Sequence, residues 1–187
     1  MKIKIGILIF ILVLAGSGFF YWQSQKDVRE LNKTLPKGVR VVKSLFGNEY
    51  KVVNKIDGYE FKVPKEWRGV EKIEYTAEWT EKGYVGKGIG MTGREETEKS
   101  IGVDYYKIEE KNIDLETWVK KFFDSFGLVG ELNEDSINRI EVVKTQEIVH
   151  MGGDYIYFLG SKNNLIIYAI SGNSEKLIRE IITNGKW

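Results

Sequence analysis

Asp57-Gly58 separates two runs in which apolar and polar residues alternate, Tyr50–Ile56 and Tyr59–Val63. An aspartate–glycine pair between alternating runs supplies the backbone angles that a tight strand-to-strand connection needs, so it predicts a β-hairpin. Period-two patterning continues, and strands are expected over Ile73–Trp79, Tyr84–Met91 and Ile101–Ile108. The period then changes. Leu115, Trp118, Val119, Phe122 and Phe126 fall on one face of a helix, with Asp114 placed to cap it and Gly127 to end it. Strand signals resume at Ile140–Val149, Tyr155–Gly160 and Leu165–Ser171. A last helix is expected to start from Ser174, to turn Leu177, Ile178, Ile181 and Ile182 inward and to stop at Gly185. Many antiparallel strands with two inserted helices predict an α+β layered domain rather than alternating βαβ units.

Composition removes several kinds of chemistry. The 187 residues hold no cysteine and one histidine, which excludes disulfides, a thiol nucleophile, an attached lipoprotein lipid and any Cys-ligated or multi-His metal site. With 28 Lys+Arg against 27 Asp+Glu there is no basic footprint for nucleic acid.

The N-terminal part is of another kind. Lys2 and Lys4 precede Ile5–Trp22, eighteen residues without a charge that end in Phe19-Phe20-Tyr21-Trp22. As a helix such a run spans about 27 Å, close to the hydrocarbon core of a bilayer, and the aromatic cluster suits its interface. Ala15-Gly16-Ser17 also offers a signal-peptidase site, but cleavage there would leave a greasy new terminus, so a retained anchor is the expectation. The organisation read from the chain is an anchor or uncleaved signal over residues 1–22, a polar stalk over 23–38 that ends at Pro36-Lys37-Gly38, and a domain over 39–187. The expected location is the cell membrane, single-pass, with the membrane contacted through residues 5–22 and the C-terminal domain extracytoplasmic.

The segment Asp57-Gly58-Tyr59-Glu60-Phe61-Lys62-Val63-Pro64-Lys65-Glu66-Trp67 resembles the opening of PsbP-like domains, a glycine–aromatic strand followed by proline and tryptophan. The close, from Asn164-Leu165-Ile166-Ile167-Tyr168 through the amphipathic helix to Trp187, is similar to the last hairpin, helix and short strand of that family. The resemblance implies an α/β/α sandwich around an antiparallel sheet, here preceded by one transmembrane helix. The family includes photosystem II extrinsic subunits and many anchored bacterial proteins of unknown role, and in most of it no enzyme chemistry is established. It transfers no binding residue to this chain.

The remaining motifs have bland readings that outweigh the functional ones. Gly88-Ile89-Gly90-Met91-Thr92-Gly93 spells a dinucleotide fingerprint, but Arg94–Ser100 has no apolar helical face to follow it, so a flexible glycine-rich hairpin is expected. His150 and Asp154 fall in a turn, with no Gly-x-Ser-x-Gly elbow anywhere in the chain. Glu95-Glu96, Asp104 and Glu109-Glu110 offer carboxylates, but neighbours on a strand point to opposite faces and no calcium loop surrounds them. Trp118 belongs to the core, whereas Trp79 and Tyr84 with the loop carrying Gly86, Gly88 and Gly90 are the first place to look for a recognition surface.

The reading that follows is an interaction or accessory module without catalytic residues, cofactor or metal, with an envelope protein as its candidate partner. The alternatives are an anchored cell-envelope hydrolase that uses carboxylates, or a carrier of small ligands or lipids.

Overall fold

The computed structural model describes residues 2–44, 49–63, 70–93, 100–108, 113–128, 130–146, 155–161 and 165–187, apart from the side chains of 2–6, 8, 9 and 71. In chain order the elements are α1 (Lys2–Ser24), α2 (Lys26–Lys33), β1 (Val39–Lys43), β2 (Tyr50–Asn54), β3 (Tyr59–Lys62), β4 (Val70–Glu81), β5 (Tyr84–Gly93), β6 (Ser100–Lys107), α3 (Leu115–Phe126), β7 (Asn133–Ile137), β8 (Ile140–Gln146), β9 (Tyr155–Gly160), β10 (Ile166–Gly172) and α4 (Glu175–Asn184). All strand pairs are antiparallel. They form a three-stranded sheet, β1-β2-β3, and a seven-stranded sheet, β4-β5-β6-β10-β9-β8-β7.

Local chemistry explains the elements that the sequence announced. The Asp57-Gly58 hairpin is present, but its connection is four residues long: Asn54 pairs with Tyr59, and the Asn54 side chain accepts the N–H groups of Ile56 and Asp57, each at 3.0 Å. Gly58 adopts a φ of +82°, the left-handed conformation that favours glycine. Asp114 caps α3 by accepting the Thr117 N–H at 2.8 Å, and Gly127 closes it at φ +65°. Two further connections have positive φ at both central positions, Lys82-Gly83 between β4 and β5 and Asn138-Arg139 between β7 and β8, as a type I′ turn requires.

The α+β assignment and the α/β/α sandwich are corrected. The described residues are mostly β, with two sheets and four helices among them. The cause is β1, which the sequence did not announce. It adds a third strand to the hairpin, so β2 and β3 build a sheet of their own. Val41, Val52 and Phe61 of that sheet share one core with Ile73, Ile89, Ile101 and Val103 of the large sheet and with Leu177, Ile178, Ile181 and Ile182 of α4. A small sheet therefore takes space on this face that a helical layer was expected to fill. On the opposite face α3 places Trp118, Val119, Phe122 and Phe123 against Tyr106, Val143, Phe158 and Ile167.

The single-pass anchor is corrected as well, and with it the cell-membrane location and the transmembrane element. Among the described residues no helix is long and apolar enough to cross a membrane. The helix α1 runs from Lys2 to Ser24. Exposed apolar side chains on α1 include Phe19, Phe20 and Trp22.

After α1 the chain is fastened to the small sheet. Asn32 of α2 donates to the Val41 carbonyl at 2.9 Å and accepts the Val41 N–H at 2.7 Å, and Gln25 donates to the Lys43 carbonyl at 3.4 Å. Asp27 takes the Tyr50 hydroxyl at 2.8 Å.

Candidate functional site

Of the residues expected to form a recognition surface, the structure brings Trp79 and Tyr84 to the α3 side of the large sheet. Each is half-buried in an aromatic cluster. Trp79 meets Tyr106 edge-on at 5.9 Å, and Tyr84 packs on Trp118, Phe122 and Phe126 with centroids 5.5, 5.1 and 5.6 Å away. Gly86, Gly88 and Gly90 lie within strand β5 rather than in a flexible loop, and the first two are buried. Their lack of a side chain has a packing reason. The Trp79 indole lies against Gly86, and the Asp104 carboxylate occupies the space where a Cβ on Gly88 would stand.

Asp104 has no hydrogen-bond or ion-pair partner among the described residues, and burial pushes its carboxyl up to about 6. The acids Glu95, Glu96, Glu109 and Glu110, together with His150, Asp154 and Trp67, lie outside the described residues. Among the described residues no three His, Cys, Asp or Glu side chains are grouped to hold a metal ion.

A second polar cluster sits between the sheets. Lys87 of β5 forms an ion pair with buried Asp57, whose other carboxylate oxygen accepts from Asn54 at 2.6 Å and from Tyr75 at 3.5 Å. The Tyr168 hydroxyl donates to the Asp57 carbonyl at 3.0 Å, and the Lys87 ammonium stands 4.8 Å from the centre of the Tyr105 ring. Burial works to lower the Lys87 ammonium, but the hydrogen bond and negative charge of Asp57 outweigh it and raise it. Every named group has a partner inside the protein, so this cluster joins the two sheets and presents little to a ligand.

The sheet edges differ in a way the sequence did not reveal. The outer edge of β1 is taken by Asn32 and Gln25. That of β3 is taken by Lys186, which exchanges two backbone hydrogen bonds with Glu60, at 3.1 and 2.7 Å. Glu60 also binds Lys51 and Lys186 through its side chain, and those hydrogen bonds hold its carboxyl down at about 2. The edge strand β7 is short, and Asp135 takes the Ser136 N–H at 2.7 Å. The edge strand β4 is 12 residues long, and among the described residues no backbone hydrogen bond is made on its outer side.

Beside that edge runs a groove of about 890 Å³ between α2 and β4, lined by Asp27, Glu30, Leu31 and Thr34 on one bank and by Val70 and Lys72–Thr76 on the other. An edge strand leaves about half of its N–H and C=O groups pointing outward, so β4 offers a row of donors and acceptors facing an open channel. No local signal in the sequence marks it, because the Lys82-Gly83 turn fixes only the β5 side of β4 and the other side depends on where β3 and α2 pack.

Comparison of the chain with family models, with curated proteins and with solved structures finds no match.

Proposed function

We propose that this protein is a non-catalytic interaction or accessory module that captures an extended segment of a partner chain by adding it as a strand along β4. The observation that carries this reading is the contrast among the sheet edges: β1 and β3 are closed by hydrogen bonds from the chain itself, whereas β4, the longest of the described strands, borders a groove of about 890 Å³. Strand addition draws affinity from main-chain hydrogen bonds and specificity from alternate side chains. The bank formed by Leu31 of α2 and Thr34 just after it would receive one face of the added segment.

Amide hydrogen exchange tests it. The probe is an end-capped octapeptide, (Gln-Thr)4, which is uncharged and favours extended structure only modestly. Its addition is expected to slow exchange along Val70–Thr76 and to leave β7 unchanged. Exchange along β4 that is unaffected at millimolar peptide would overturn the reading.

A further inference from the structure

We infer that the segment captured along β4 is a basic one, an extended stretch with lysine or arginine at alternate positions. This inference rests on the strand-capture reading and adds to it the chemistry of the partner. The groove is lined by three carboxylates, Asp27, Glu30 and Glu74, and by Lys72, and each carboxylate pairs with a lysine, Lys43, Lys33 and Lys72 respectively. Those acids are not equally committed. Asp27 is held by Tyr50 at 2.8 Å and by Lys43 at 3.5 Å. Glu30 and Glu74 have side chains 61% and 67% exposed, and among the described residues each pairs with a lysine on its own element, Lys33 and Lys72. Exposed pairs of this kind are worth little and exchange partners readily, so both carboxylates can turn to an incoming cation.

The same charge count argues against a second copy of this chain as the occupant. In sequence β4 carries Glu71, Glu74, Glu78 and Glu81 against the single Lys72. Two copies paired edge to edge would gather eight carboxylates against two ammoniums, and like charges opposite one another destabilise a sheet. A basic strand removes that repulsion. Alternation matters because successive side chains of an added strand point to opposite faces, so one set of alternate positions looks toward α2 and its Glu30, and the other toward the face that carries Glu74.

Three end-capped octapeptides, (Lys-Thr)4, (Gln-Thr)4 and (Glu-Thr)4, separate the possibilities when titrated into the full chain at low and high salt, with amide exchange followed in parallel. The expected result is that (Lys-Thr)4 binds about tenfold more tightly than (Gln-Thr)4, that added salt weakens it, and that it slows exchange along Val70–Thr76. Glu30→Gln with Glu74→Gln, both at exposed positions where folding is not at issue, is expected to erase the preference while leaving (Gln-Thr)4 binding in place. Equal binding of all three peptides with β4 protected would overturn the basic partner and leave strand capture standing. Binding of (Lys-Thr)4 without protection of β4, or no binding by any peptide, would overturn both.

Discussion

The indole of Trp79 crosses the backbone of Gly86 so closely that a Cβ on the glycine would stand 2.7 Å from Cζ2 of the indole and 3.0 Å from Cε1 of Tyr106. Gly86→Ala therefore forces ring atoms apart in a packed cluster, and a loss of about 1–3 kcal/mol is expected. Urea unfolding measures it, and near-UV circular dichroism should show altered tryptophan packing. An alanine variant as stable as the parent would mean that the Trp79 ring moves aside without cost.

Asn32 acts as a substitute strand for the β1 edge, because its amide meets both backbone groups of Val41. Asn32→Ala leaves both half-covered groups unpaired and is expected to cost about 1–3 kcal/mol. Asn32→Asp keeps the acceptor and loses the donor, so it should fall between alanine and the parent. Exchange of the Val41 amide should be fast in the alanine variant and slow in the aspartate one.

The Asp57 side chain is 1% exposed and faces the Lys87 ammonium. Lys87→Met strands that carboxylate among Asn54 and tyrosines, and a loss of about 3–5 kcal/mol is expected. Adding Asp57→Asn should restore most of it, since the double variant buries no unpaired charge. A double-mutant cycle without coupling would show that the pair contributes nothing to joining the two sheets.

Asp104 gives the protein a pH dependence of unusual sign for an aspartate. Its folded carboxyl titrates at about 6, above the ordinary value of 3.8, so the folded state holds its proton where the unfolded state has released it. Stability should consequently fall as pH rises from about 4 to about 6, by about 2–3 kcal/mol from this group, and stay at the lower level above that window. Asp104→Asn removes the charge and is expected to flatten the profile there and to stabilise the protein at pH 7. A variant whose profile between pH 4 and 6 matches the parent would assign the dependence to other groups.

Much of the local structure was legible in the sequence. The Asp114 cap, the apolar face of α3 and its Gly127 stop depend on residues a few positions apart, and each appears where those residues put it; the hairpin at Asp57-Gly58 forms too, with a connection two residues longer than that pair. The strand β9 is found over the predicted Tyr155–Gly160. By contrast β7, with the sequence Asn133-Glu134-Asp135-Ser136-Ile137, has almost no apolar alternation, because it is an edge strand with little to bury. Val39–Lys43 alternates, yet nothing within it states that its partner is β2.

Trp79 shows why the candidate site was harder to read. Thr76 pairs with Gly88 and Trp79 with Gly86, so three steps along β4 answer two along β5. That bulge puts Trp79 on the same face as Thr76, whereas uninterrupted alternation would have set it beside Ile73 and Tyr75 on the other. The surface expected around Trp79 and Tyr84 consequently lies under α3, half-buried among aromatic rings.

The sequence by itself determined the local elements: turns, caps and apolar faces, whose signals act over one or two turns of helix or a few strand residues. The tertiary structure alone decided that β2 and β3 would form a separate sheet, that Asn32 and Lys186 would close two edges, and that β4 would keep one edge open beside α2. The physical reason is that an edge is open or closed according to where every other segment finds its own hydrogen bonds, and that accounting is settled only when the whole chain has packed.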